Sequence, residues 1–190
     1  MRTKLLIIGL FVALFAGAAE PKDVSRFEVE LKGGPNIPLS GYHGSDSKAG
    51  AVLGIDLRYN LKNKPFDVGA SFLANWTKGE GKTAVIYGEV IYPLPYYCTH
   101  RTIAGLLTAG YNLRRGYKVN PYAGVGIGLA STSVGDEDLL HNATKAIFVP
   151  KIGVELLYNF RLEVSTVVTR KHFNSLNFTI GLVFGGRPKK

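Results

Sequence analysis

The chain has little with which to cross-link itself and no second long apolar run. A single cysteine, Cys98, excludes an internal disulfide, so stability has to come from secondary structure and packing. Beyond the first 19 residues no stretch approaches the ~20 consecutive apolar residues that a membrane-crossing helix requires. Lysine and arginine do not gather into a basic helix or an aromatic-interleaved patch, which argues against nucleic acid as a partner. No close histidine, cysteine or carboxylate spacing of the metal-binding kind is present, so no metal site is expected.

What the sequence does contain starts at its N-terminus. Arg2 and Lys4 precede an apolar run over 5–16, followed by Gly17, Ala18 and Ala19, the pattern of an export signal cleaved after Ala18 or Ala19. No cysteine follows the small residues, so no lipid attachment at a new N-terminus is expected. Removing residues 1–19 leaves 21 basic against 14 acidic residues, a charge of +7, for which phosphates of anionic lipid or lipopolysaccharide are the natural counterpart in an exported protein. The remainder, 20–190, is short enough for a single domain. The chain's 23 glycines and 11% aromatics suit short strands and tight turns.

From residue 26 onward the apolar period is two. Phe27, Val29 and Leu31 alternate with Arg26, Glu28, Glu30 and Lys32; Leu53, Ile55, Leu57 and Tyr59 alternate with Gly54, Asp56 and Arg58. Phe66, Val68, Ala70, Phe72, Ala74 and Trp76 form a third such run, with Leu73 out of phase. A fourth, near 103–114, sets Leu107, Ala109, Tyr111 and Leu113 against Thr108, Gly110, Asn112 and Arg114, and the turn Arg115-Gly-Tyr-Lys118 follows. Further runs lie at 121–130, at about 148–158 and around Leu162, Val164 and Val168, and the last carries Leu176, Phe178, Ile180, Leu182 and Phe184.

Eight strands of about ten residues match a tilted β-strand crossing of a membrane, and an even number returns both ends to one side. The reading is an all-β, eight-stranded, antiparallel up-and-down transmembrane barrel. Connections at 62–65, 115–120 and around Asn159 are predicted to be short, those at 33–49, 78–102 and 131–146 long, and one near Lys171 short. Segment 83–97 is read as a hairpin continuing strands three and four beyond the membrane; its Tyr92, Tyr96 and Tyr97 either contact a partner or cap the lumen.

A soluble ligand-carrying barrel alternates too. Here the polar set is mostly Gly, Ser, Thr and Asn with charges of both signs, which suits a crowded interior better than a water-facing wall. Arg26, Glu28, Asp56, Arg58, Glu155, Arg161 and Glu163 are expected to pair inside. The lipid-facing reading leads, and a soluble periplasmic carrier is the weaker alternative.

Pro121-Tyr-Ala-Gly-Val-Gly-Ile-Gly128 resembles the Pro-aromatic-x-Gly-x-Gly-x-Gly strand of the porin-like outer membrane protein β-barrel family. Pro150-Lys-Ile-Gly-Val-Glu155 resembles that family's next strand, and 174–186 its closing strand, whose alternating aromatics act as a signal to the barrel assembly machinery. The resemblance implies a bacterial outer-membrane barrel too narrow for a wide pore, with a structural or surface-interaction, adhesion-like role and an extracellular partner through the outer loops. No catalytic residue and no cofactor are assigned.

A lipid-modifying enzyme remains the alternative, because His43, His100, His141 and His172 all fall in predicted outer connections. Ser45 and Asp46 neighbour the first, and Asp136, Glu137 and Asp138 precede the third. Loops favour such residues for turn formation and solubility alone.

Overall fold

The computed structural model describes residues 20–39, 46–87, 90–136, 139–169 and 174–188. The export segment 1–19, His43, Ser45, Glu137, Asp138, Lys171 and His172 lie outside the described residues.

Eight antiparallel strands close on themselves in sequence order: β1 (Phe27–Pro38), β2 (Asp46–Asn60), β3 (Phe66–Tyr87), β4 (Val90–Asn112), β5 (Val119–Asp136), β6 (Leu139–Leu156), β7 (Phe160–Thr169) and β8 (Ser175–Gly185). Closure comes from β1 against β8, from Glu28↔Gly185 to Pro38↔Ser175, so the sheet has no free edge. The predicted strand count, direction and order are therefore the observed ones. The period of two becomes two environments: Phe27, Leu31, Leu57, Phe72, Leu107, Ile127, Ile180 and Phe184 are exposed outward, while Glu30, Asp56, Arg58, Glu163 and Asn177 are buried inward. A soluble carrier requires the opposite assignment, and a continuous exposed apolar belt of this extent has lipid as its solvent. At the end bearing the chain termini, aromatic pairs girdle the belt: Phe27 meets Tyr59 and Phe66 meets Tyr111 edge-on, each pair with ring centroids 5.2 Å apart.

The turns at that end are tight. Between β6 and β7 three residues, 157–159, join Leu156 to its ladder partner Phe160; Leu157 and Tyr158 both have positive φ (54° and 67°), and the Asn159 N–H donates to the Leu156 carbonyl at 3.2 Å, a tight turn whose handedness matches the strand twist. Asn63 and Gly116 take positive φ in the other two short turns.

At the opposite end the predicted long loops are mostly strand. β1 continues through Pro38, and β2 starts at Asp46. β3 and β4 pair without a register break from Phe66↔Tyr111 to Tyr87↔Val90, which bears out the hairpin over 83–97. β5 and β6 likewise pair out to Asp136↔Leu139. Mutual pairing satisfies the backbone N–H and C=O groups of these extensions, so they need no lipid belt to be strands.

Three smaller expectations fail for one reason, that a strand's phase ends with its ladder. Arg26 sits in a bend before β1 and is exposed rather than lumenal. Leu113 lies past the end of β4 and is buried, not outward, and Arg114 is exposed, not inward.

Candidate functional site

Small residues on the inward face create room for large charged ones. A Cβ on Gly181 would come within 3.0 Å of the Glu30 Cγ and Cδ atoms, and a Cβ on Gly153 would lie 2.6 Å from the Tyr122 ring and hydroxyl. Into that room the strands project a ladder of ion pairs.

Its central tier is a quartet. Lys32 Nζ lies 2.9 Å from both Asp56 Oδ2 and Glu163 Oε1, and Lys151 Nζ lies 3.1 Å from Asp56 and 3.8 Å from Glu163. Asp56 also accepts from the Ser71 hydroxyl, and Glu163 from the Tyr122 hydroxyl at 3.1 Å. Nearer the termini, Arg58 reaches Glu30 at 2.9 Å and Glu28 at 3.6 Å. Arg161 reaches Glu155 at 2.6 Å and both Glu28 and Glu30 at 3.6 Å, while its guanidinium stacks 4.4 Å from the Tyr122 ring centroid.

Arg115 closes the end nearest the termini. Its guanidinium donates to the carbonyls of Leu61, Lys64 and Phe66 and to Asn60 Oδ1, and stands 3.4 Å from Asp67. Five cations (Lys32, Arg58, Arg115, Lys151 and Arg161) thus face six carboxylates (Glu28, Glu30, Asp56, Asp67, Glu155 and Glu163). In so dry a space, near-neutrality is what makes burial of charge tolerable.

Beyond the quartet the lumen changes character. Val52, Leu73, Ala104, Leu106, Ala130, Ile147, Val149 and Val167 form one buried apolar cluster. Leu73, out of phase in its strand, is a member because the lumen at that level is apolar. Where the two layers meet, a cavity of about 10 Å³ bounded by Lys32, Leu106, Lys151 and Glu163 is comparable to one water molecule. Charge below and hydrocarbon above leave no wide pore.

Of the residues expected to pair inside, the structure brings together Glu28, Asp56, Arg58, Glu155, Arg161 and Glu163, and leaves out Arg26. Sequence reasoning missed the roles of Lys151 and Arg115. Lys151 stands inside a strand motif with nothing to say which carboxylate it meets across the barrel. Arg115 has, in sequence, only the features of a solvated turn residue.

Two of the four histidines fall within strands rather than in open loops. His100 in β4 is buried, and His100 and His141 share one rung through Val134 of β5. Among the described residues no three His, Cys, Asp or Glu side chains are grouped to hold a metal ion.

Searching the curated proteins finds no match for the chain. Among solved structures, Neisserial surface protein A is similar with a TM-score of 0.52 at 18% identity, covering 84% of this chain and 97% of that one. The N-terminal β-barrel domain of Pseudomonas aeruginosa OprF gives 0.48 at 12% identity over 85% of this chain and 99% of its own. Ail, the attachment invasion locus protein of Yersinia pestis, in complex with the heparin analogue sucrose octasulfate, gives 0.43 at 12% over 86% and 99%. The first of these is a likeness of fold. Residues 8–185 match the family described as outer membrane protein beta-barrel domain, which fits a closed eight-stranded wall with its apolar face outward. This chain belongs to that family, and its place is the bacterial outer membrane.

Proposed function

We propose that this barrel is a sealed outer-membrane element that works at the cell surface, as a structural component or through adhesion-like contacts made by its projecting hairpins. One observation carries the reading: β3–β4 and β5–β6 continue as paired strands well past the lipid belt, above a lumen closed by both an ion-pair ladder and an apolar cluster. Structure is invested in what stands outside, not in a passage through the wall.

In this reading residues 1–19 direct export and are removed, and the outward aromatics of β8, Phe178 and Phe184, present the closing strand to the barrel assembly machinery. Lipopolysaccharide surrounds the outer half of the belt. The protein is not an enzyme, and His100 and His141 stand on strands of the projecting hairpins.

The test replaces residues 81–96 by a two-residue turn, which keeps the Glu80↔Tyr97 pair. The expected result is a barrel that still reaches the outer membrane and still migrates differently on gels with and without boiling, but no longer supports attachment of the cells to a surface. Attachment lost only when the gel shift is also lost would overturn the surface role, as would steady ion conductance of the intact protein in a planar bilayer. Altered lipid A composition in wild-type cells that disappears on substituting His100 or His141 would make the protein an enzyme.

A further inference from the structure

The positive charge of the chain is not spread evenly over the barrel. The lumen holds five cations against six carboxylates. The stretches 39–50, 77–102, 131–146 and 170–174, which join strands at the end away from the termini, contain seven basic and six acidic residues. The excess therefore belongs to the end bearing the termini. There Lys22 and Arg26 of the N-terminal segment, Lys62 and Lys64 of the β2–β3 turn, Arg114 and Lys118 of the β4–β5 turn and Arg187 after β8 are all exposed, against only Glu20 and Asp23 among the described residues. Whichever cations those two carboxylates pair with, the others stay in excess, and Lys189 and Lys190 follow in the sequence. The charge is scattered over four segments of the sequence, and the fold gathers it on one face.

Hydrogen bonds hold that face in shape. The β4–β5 turn lies across the barrel from β1, so the segment leading into β1 spans the mouth of the lumen. The Lys22 N–H donates to the Arg115 carbonyl at 3.2 Å and the Ser25 N–H to the Arg187 carbonyl at 3.3 Å, while Val24 is buried and bridges to Pro188. A Cβ on Gly116, whose φ is +76°, would stand 2.7 Å from the Lys22 Cβ, so the turn is shaped to receive this segment. The contact sets the Lys22 ammonium 4.3 Å from the centroid of the Tyr117 ring and the Arg114 guanidinium 5.3 Å from the same centroid. Cations fixed on a phenol by a hydrogen-bonded backbone are pre-organised for an anion, which lowers the ordering cost of binding it. Strand spacing puts the β2–β3 turn, with Lys62 and Lys64, roughly 10 Å away.

We propose that this face docks the barrel on the peptidoglycan beneath the outer membrane, its cations pairing with the carboxylates of the stem peptides. The proposal rests on the reading that the chain is exported and inserted from the periplasm, which leaves the short turns and both chain ends on that side. Headgroups of the surrounding lipid lie outside the girdle of Phe27, Tyr59, Phe66 and Tyr111, whereas Lys22 sits on a segment that crosses the mouth. A polymer with repeated, separated carboxylates matches cations spread over several turns, where each contact is weak and the sum is multivalent.

The experiment sediments the mature full-length barrel, refolded in a zwitterionic detergent, with purified sacculi freed of protein. Folding of every variant is confirmed by gel shift. Wild type is expected to co-sediment at low ionic strength and to be released at about 1 M salt, where the screening length is about 3 Å. K62Q/K64Q/R114Q/K118Q is expected to bind roughly tenfold more weakly or worse. K48Q/K78Q/R101Q/K145Q, which removes the same charge from the opposite end, leaves binding unchanged. Sacculi whose carboxylates have been converted to neutral amides are expected to retain no wild type.

Equal binding by the two variants, whether both keep it or both lose it, would overturn the face, as would undiminished binding to the amidated sacculi or no binding of wild type. In nanodiscs of mixed phosphatidylcholine and phosphatidylglycerol, preferential retention of phosphatidylglycerol by wild type but not by K62Q/K64Q/R114Q/K118Q, with sacculus binding the same for both, would make inner-leaflet phospholipid the occupant. An epitope placed after Lys190 and stained on intact cells would overturn the orientation and the proposal with it. Staining only after permeabilisation, combined with failure to sediment, would remove the docking face alone.

Discussion

Toward the end bearing the chain termini the lumen is filled by Glu30, Asp56, Arg58, Lys151, Arg161 and Glu163; toward the opposite end it is filled by Val52, Leu73, Leu106, Ile147 and Val149. Both layers close the same passage, yet they fail in different ways. In the lower layer each group was taken out of water and depends on a named partner, so removing one member strands the others. In the upper layer no contact is specific, and losing one side chain forfeits only its own area and leaves a hole. The lower layer therefore confers register and specificity, and the upper confers dryness.

The largest effect is expected from breaking the quartet. Asp56→Asn removes the carboxylate shared by Lys32 and Lys151 and leaves two buried ammonium groups with Glu163 alone. The loss should be about 3–5 kcal/mol, read from urea unfolding in lipid vesicles. A loss below ~1 kcal/mol would mean that water already solvates the quartet, and the contrast between the layers would collapse.

In the upper layer Leu106→Ala should cost about 2–3 kcal/mol, at the low end for a core leucine, because the truncated side chain opens onto a cavity shared with Lys151 and Glu163 that water can occupy. A cost near 5 kcal/mol would indicate that the space stays empty. Truncating Leu73, Leu106 and Val149 together should be the shortest route to measurable conductance in a planar bilayer, since these residues separate the charged tier from the outside.

The layers meet at that cavity, so they should not be independent. A double-mutant cycle on Asp56→Asn and Leu106→Ala should give a coupling of about 1 kcal/mol, because water admitted by the second change solvates the charges stranded by the first. Strict additivity would show that the cavity does not connect them.

Much of this wall was legible in the sequence. Lipid outside and a crowded polar lumen inside are opposite solvents, so Phe27-Glu28-Val29-Glu30-Leu31-Lys32 can be read directly as alternating faces. Pairings within the lumen were not legible. Lys151 and Asp56 lie on β6 and β2, strands that share no ladder, and only closure of the barrel brings them to 3.1 Å. Arg115 escaped for a related reason, because a turn arginine shows its purpose only once the carbonyls of the neighbouring β2–β3 turn are in place beneath it. Leu73 was visible as an exception, but its meaning depends on the seven other apolar residues at its level.

Tyr122 offers the finest test of the lower layer, because its ring and its hydroxyl do different things. The hydroxyl donates to Glu163, a carboxylate that keeps Lys32 and Lys151 when the phenol is lost, and the ring carries Arg161 on its face. Tyr122→Phe removes the first contact and retains the second, so the expected cost is only about 0.5–1 kcal/mol. Tyr122→Leu removes both and should cost about 2 kcal/mol more, the worth of a desolvated cation–π contact together with lost packing against Gly153. Equal costs for the two variants would assign the residue's whole contribution to its hydroxyl and make Arg161 dependent on Glu28, Glu30 and Glu155 alone.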